Sequence, residues 1–344
     1  MYDLEKRVGR MVQELEKMIF QDVRQVPGLE IRRGPLPGKT RPGSVKDGWE
    51  PYEQGAPWAM PGNGEFALFR AKAVIPPELA GRSAALLCRT NKTGWNALNP
   101  QFLLYVDDEI RQAFDTNHTS ARLSENAAAG CEYALYLSAF GGLTVDGRNA
   151  DTEPVRLFLE IAAFEKDIWD LYFDLRAPLT QCRQLQHDSA EWQRTVETLN
   201  EACSILDLRM PGSGEFRASI TAARSYLQKN LYEKPAAALP AKVSCVGHTH
   251  IDVAWLWQYR HTREKTVRSF ATALELMNEY PDFLFMSSQP QLFQFIKEDY
   301  PELYERIKTR VQEGRFEVEG GMWVESDTNL PSGESLVRQF LHGK

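Results

Sequence analysis

The sequence is poor in the features that mark several common protein classes. Its five cysteines, Cys88, Cys131, Cys182, Cys203 and Cys245, form no C-x-x-C pair, are odd in number and lie far apart. That pattern argues against a disulfide framework and for free thiols in a reducing compartment. No uninterrupted apolar run approaches the roughly 20 residues that cross a bilayer. The first residues, Met1 to Arg7, lack the apolar centre of a signal peptide. The expectation is a cytoplasmic protein without a membrane partner. In that setting the sequons at Asn91 and Asn117 read as chance polar loops. A basic excess is also lacking: 40 Lys and Arg against 47 Asp and Glu give a formal net charge of −7, which argues against nucleic acid or anionic membrane as the main partner. Gly212-Ser213-Gly214 is not followed by G-K-[ST], and no G-x-S-x-G elbow occurs. Phosphate cradling and serine-hydrolase chemistry therefore have no support.

What is present is a globular composition, 43% hydrophobic and 25% charged over 344 residues. That length suits two or three domains. Residues 1 to about 20 carry Leu4, Val8, Met11, Leu15 and Met18 at helical spacing. The Pro- and Gly-rich stretch from Pro27 to Gly62 reads as an extended arm laid over another surface. Short β-branched or aromatic segments follow: Phe66–Ile75, Ala84–Cys88, Phe102–Val106, Tyr133–Phe140, Val155–Ile161 and Trp169–Leu175. Asp107-Asp108 between the third of these and Ile110 predicts a tight hairpin, and the series predicts a β-sandwich. Two helices come next, one with Trp192, Val196, Leu199, Cys203 and Leu206, one with Phe216, Ile220, Ala223 and Leu227. Met60–Phe66 and Met210–Phe216 echo each other, but strand periodicity follows the first and helix periodicity the second, so no repeat is inferred.

Pro235–Pro240 reads as a linker. Beyond it strands and helices alternate: strands over Val243–Val246, Phe283–Met286 and Phe316–Val318, with helical patterns between them and a last helix capped by Ser332. Such βαβα order implies a parallel sheet or barrel. Three strands cannot close a barrel, so a fragment of a longer protein is expected. The boundaries are 1–62 for the helix and arm, 63–180 for the sandwich, 181–240 for a helical linker segment and 241–344 for a partial catalytic α/β domain.

Chemistry concentrates directly after Val243–Val246, in Gly247-His248-Thr249-His250-Ile251-Asp252. Strand carboxyl ends face the active site in parallel α/β folds. In extended backbone His248, His250 and Asp252 project to one side. An imidazole nitrogen and a carboxylate oxygen suit a borderline ion such as zinc, with cobalt or manganese also fitting. By spacing alone His248 is as good a ligand as His250; hydrogen-bonded polar residues closing a strand are the bland alternative.

Gly247 to Trp257 resembles the opening motif of the family 38 glycoside hydrolases, the α-mannosidases. Ser287-Ser288-Gln289-Pro290-Gln291, Gly314 to Glu325, and Asp327 to Gly333 resemble later motifs of that family, in the right order. The arm, Leu104–Val106 and Asp115-Thr116-Asn117-His118 are similar, less distinctively, to the cytosolic branch. The resemblance implies a mixed fold: an N-terminal β-sandwich with flanking helices, then the first strands of an incomplete parallel (β/α)7-type barrel. It implies His250 and Asp252 as metal ligands, His248 as a supporting residue behind them, and Trp255 as the floor of the mannose subsite. Core packing is the alternative for Trp255 and Trp257.

The family's reaction is a retaining hydrolysis of terminal α-linked mannose from oligosaccharides, through a carboxylate nucleophile and a second carboxyl group, with a metal holding the sugar. The matching nucleophile and acid/base are expected beyond Lys344, so this chain alone is expected to be inactive. Glu325 and Asp327 read either as contacts to sugar hydroxyls or as solvated loop residues. His118, His187, His261 and His342 read as surface or structural. Two other functions stay open: a metal-dependent amidohydrolase, with both His248 and His250 as ligands, or a non-catalytic carbohydrate-binding or assembly fragment. The long arm suggests contact with another subunit in a homo-oligomer.

Overall fold

The computed structural model describes residues 4–36, 40–93, 100–143, 152–233 and 243–344. The expected linker Pro235–Pro240 lies outside them. Helix α1 (Leu4–Met18) turns Val8, Val12 and Leu15 inward at the expected spacing. The strands are β1 (Phe20–Gln25), β2 (Glu30–Arg33), β3 (Glu50–Pro51), β4 (Pro57–Ala59), β5 (Phe66–Val74), β6 (Ala84–Thr90), β7 (Gln101–Val106), β8 (Glu109–Phe114), β9 (Ser120–Ser124), β10 (Glu132–Phe140) and β11 (Val155–Phe164). They form two antiparallel sheets, one in the order β1-β11-β6-β9 with β4 on β11, the other β3-β2-β5-β10-β7-β8. Asp107 and Asp108 both take positive φ, 52° and 66°, at the tip of the β7–β8 hairpin, the geometry that matches the twist of paired strands.

Period-two alternation sorts side chains between layers. Phe102, Leu104 and Val106 of β7 point into the core shared by the two sheets, as do Leu86 and Cys88 of β6 and Leu157, Leu159 and Ile161 of β11. Tyr52 and Trp58 of the arm also enter that core. The other face of β7 carries Leu103 and Tyr105 into a different core, beneath the C-terminal segment. Ala85 and Phe164 on the outer face of the first sheet meet the helices. Each sheet therefore has both faces covered: helices lie outside the first, the parallel unit outside the second.

One expected strand is a helix. Trp169–Leu175 lies inside α2 (Lys166–Cys182), where Ile168, Leu171, Tyr172, Leu175, Leu179 and Cys182 are buried. These positions recur at helical spacing, and the aromatic content of the short stretch hid that longer period. Helices α3 (Ala190–Ile205) and α4 (Gly214–Leu227) follow, capped by Ser189 and Ser213. Together with α1 and α2 they make the helical layer.

The C-terminal segment holds β12 (Gly247–His248), α5 (Tyr259–Glu279), β13 (Phe285–Ser287), α6 (Pro290–Asp299), α7 (Pro301–Gln312), β14 (Phe316–Val318) and α8 (Gly333–Gly343). Its strands pair in parallel in the order β12-β13-β14. This is an open three-stranded sheet, not a closed barrel. The expected strand Val243–Val246 is not formed: Val243 is 81% and Val246 49% exposed, and pairing begins only at Gly247. An apolar run becomes a strand only where a neighbour supplies ladder partners, and β13 reaches no further back than Gly247. Phe270 of α5, fully buried, anchors this unit through ring contacts with Phe285 of β13, Phe293 of α6 and Phe316 of β14.

Candidate functional site

The carboxyl ends of β12, β13 and β14 deliver three short loops to one place. After His248 the backbone leaves strand geometry, so the alternation that would put His248, His250 and Asp252 on one side stops after the first of them. His248 bonds sideways instead: its Nδ1 lies 3.1 Å from the Met286 carbonyl of β13. His250 and Asp252 meet across the loop, with Nε2 3.2 Å from Oδ1. The other ring nitrogen of His250, Nδ1, lies 2.7 Å from Oε2 of Glu325.

Buried polar groups hold this loop. Gln289, 3% exposed, donates from Nε2 to the Ile251 carbonyl at 2.8 Å and accepts on Oε1 from the Glu325 amide at 3.2 Å. Thr262, in the first turn of α5, donates to the Asp252 carbonyl at 2.9 Å and accepts from Trp257 Nε1 at 2.9 Å. His261 Nδ1 accepts from the Gln258 amide at 3.1 Å, and its ring lies against Phe66 and Phe140 of the sandwich. The loop is thus tied both to its own sheet and to the domain beneath.

Burial works against charge on His250, but the hydrogen bond to Asp252 and the attraction of Glu325 and Asp252 outweigh it, so its pKa is raised. Lys265 stands over the Trp257 ring at 4.7 Å. Burial and Arg268 push its ammonium down to about 8, against the pull of Asp252. His261 is held below the ordinary histidine range by burial and by Arg260, Arg268 and Lys265.

For metal binding, the decisive geometry is donor spacing. Two donors each about 2.0–2.2 Å from one ion lie roughly 2.9–3.5 Å apart, and the His250–Asp252 separation of 3.2 Å falls in that range. A ligating histidine usually has its second ring nitrogen held by a carboxylate or carbonyl, as Glu325 holds Nδ1. The donor pair fits an ion in part: among the described residues, no three His, Cys, Asp or Glu side chains converge on one point.

Trp255 is 59% exposed and meets Trp257 edge to face at 5.6 Å. Exposure of that size leaves its ring available to a ligand. Asp327 does not join His250; its Oδ1 accepts from the Asn329 amide at 2.7 Å and closes a local turn. Glu325, two residues earlier, is the one brought in. Sequence reasoning named Gln289 only as a member of the Ser287–Gln291 motif, without a role, and passed over Thr262; the roles of both come from backbone carbonyls of the loop after β12, which polarity does not reveal. Two cavities, of about 800 Å³ and 720 Å³, lie at the junctions between layers, and neither His250 nor Asp252 lines them.

Residues 240–344 match the family model described as the N-terminal domain of the glycosyl hydrolases family 38. The chain is 36% identical over 234 residues to Alpha-mannosidase G of Dictyostelium discoideum, covering 65% of this chain and 21% of that protein. It is 32% identical over 288 residues to Alpha-mannosidase 2C1 of Mus musculus, covering 80% and 26%. It is 35% identical over 185 residues to Alpha-mannosidase of Saccharomyces cerevisiae, covering 51% and 16%. It therefore spans about a quarter or less of the length of these relatives. The segment that carries the strand-end loops is the one that the family model matches, and by that segment and these relatives the chain belongs to glycosyl hydrolase family 38.

Proposed function

We propose that this chain forms part of a retaining α-mannosidase that removes terminal α-linked mannose from oligosaccharides with the help of a divalent metal, zinc before cobalt or manganese. The observation that carries the reading is the pair His250 Nε2 and Asp252 Oδ1, 3.2 Å apart at the ends of parallel strands, inside the segment that matches the family model. When bound, the ion would supply a template for sugar hydroxyls and strengthen the field at the reacting carbon. His250 and Asp252 would hold it, and Trp255 would offer an aromatic face to the sugar. Retention needs two carboxyl groups about 5–5.5 Å apart across the scissile bond. We place these in a segment outside the present 344 residues, where the next strands would extend the open sheet toward a (β/α)7-type barrel. The same reading takes the protein as cytoplasmic; residues 27–62 do not act as an arm to a second subunit, because they supply β2, β3 and β4 and the core residues Tyr52 and Trp58 to their own sandwich.

The amidohydrolase alternative requires His248 as an equal ligand, and its bond to Met286 favours a supporting role instead. Metal affinity separates the two. Competition with a chromophoric chelator is expected to show His250→Ala and Asp252→Ala abolishing what zinc affinity the chain has. His248→Ala should lower it by about tenfold, as loss of a supporting residue does. Equal loss in all three variants would favour the amidohydrolase. Residues 1–344 alone are expected to leave an aryl α-mannoside unhydrolysed; turnover above a no-enzyme control would contradict the placement of the nucleophile.

A further inference from the structure

The structure assigns Glu325 as the positioning residue that sets the tautomer of His250, and thereby turns the Nε2 lone pair toward Asp252; the inference rests on His250 acting through Nε2, as proposed above. A carboxylate in this place could serve as a metal ligand, as a sugar contact, or as an anchor for the imidazole. The contacts choose among these. Its Oε2 lies 2.7 Å from Nδ1, while Asp252 Oδ1 lies 3.2 Å from Nε2. The two carboxylates therefore sit on opposite edges of one ring, and an ion bound at Nε2 would lie out of reach of Glu325. Its second oxygen is occupied as well, accepting from Ser288 Oγ at 2.6 Å. Its backbone is fixed by the bond from its amide to Gln289 Oε1, and the same Gln289 donates to the Ile251 carbonyl. One buried amide thus ties the loop after β12 to the loop after β14, with Ser288 contributed by the loop after β13.

A neutral imidazole has one proton for two nitrogens, and here a carboxylate faces each. The hydrogen bond made by one nitrogen decides which of them keeps the lone pair. The shorter contact belongs to Glu325, so the proton resides on Nδ1 and Nε2 is left as the donor atom. Without Glu325 the remaining carboxylate, Asp252, would draw the proton to Nε2 and occupy the lone pair that a metal needs. Glu325 acts on the metal site through histidine and touches neither ion nor sugar.

The test is nitrogen NMR on the full 344-residue chain labelled in histidine, at a pH above the titration of the ring, with His250 assigned by loss of its signals in His250→Asn. The wild type is expected to show His250 mainly as the Nδ1–H tautomer. Glu325→Ala should shift it to Nε2–H, and Ser288→Ala should shift it partway. Unchanged chemical shifts of the other five histidines would report that the variants remain folded. A wild-type His250 in the Nε2–H form, or a tautomer indifferent to Glu325→Ala, would overturn the assignment. Chelator competition with cobalt gives a second arm. Glu325→Gln should weaken binding by about 10- to 100-fold, the range for an outer partner of a ligand, without altering the visible spectrum of the bound ion. A changed spectrum would make Glu325 a ligand and refute a positioning role. If His250→Ala and Asp252→Ala leave cobalt affinity untouched, the metal reading fails while the tautomer result still stands or falls by itself.

Discussion

At the scale of single residues, function depends on which side chains are held and which are left free. Trp255 is more than half exposed, so its ring contributes little to the fold. Trp255→Ala is expected to change unfolding free energy by no more than about 0.5 kcal/mol while abolishing any fluorescence response to methyl α-mannoside. A melting temperature several degrees lower would instead make it a packing residue. His118 and Asp115 pair at 3.1 Å, away from the strand-end loops. The hydrogen bond to Asp115 raises the His118 pKa above its usual 6.5, against burial. Burial raises Asp115, yet His118 and two backbone amides prevail and hold it below 3.8. A raised histidine stabilises fully below 6.5 and loses that contribution as pH rises through its folded value. A lowered carboxylate stabilises above 3.8 and loses it as pH falls. The pair therefore helps most between these limits. Denaturant titrations of wild type and His118→Ala should differ more at pH 5 than at pH 8.

At the scale of elements, buried charge and aromatic packing fix where helices sit. Glu165, 6% exposed, precedes α2 and binds Arg82 at 2.7 Å and Arg217 of α4 at 3.0 Å, while Arg82 also meets Asp22. Removing one partner of a buried pair costs about 3–5 kcal/mol; both arginines here retain solvent contact, which lowers the figure. Glu165→Ala is expected to cost about 2 kcal/mol in urea denaturation, and a loss under 0.5 kcal/mol would mean that α2 and α4 are held by apolar contacts alone. The elements were unequally legible in the sequence. The strands β5, β6, β7, β10 and β11 and the Asp107-Asp108 turn carry local signals that survive in the fold. The edge strands β1 and β9, with sequences FQDVRQ and SARLS, have no apolar run to announce them, because an edge strand is defined by its neighbour more than by its composition. Trp169–Leu175 was misleading because seven residues are too few to distinguish a buried helix from a strand.

At the scale of the whole molecule, three apolar clusters among the described residues are stacked through two sheets, and the site sits with the outer cluster beside the second sheet. Phe270→Ala, which empties the centre of that cluster, is expected to cost about 3–5 kcal/mol. Because the sandwich core is separate, its near-ultraviolet circular dichroism should persist while that of the parallel unit is lost. A single cooperative loss at every probe would show the layers to be energetically one. The sequence by itself determined the layer types, the hairpin, the Ser332 cap and the segment that carries the chemistry, since each depends on residues near one another in the chain. Only the tertiary structure decided that the second sheet is buried on both faces, that His248 turns to Met286, and that Glu325 rather than Asp327 reaches His250. The last two outcomes depend on partners 38 and 75 positions away in sequence, brought together by parallel pairing that no local pattern encodes.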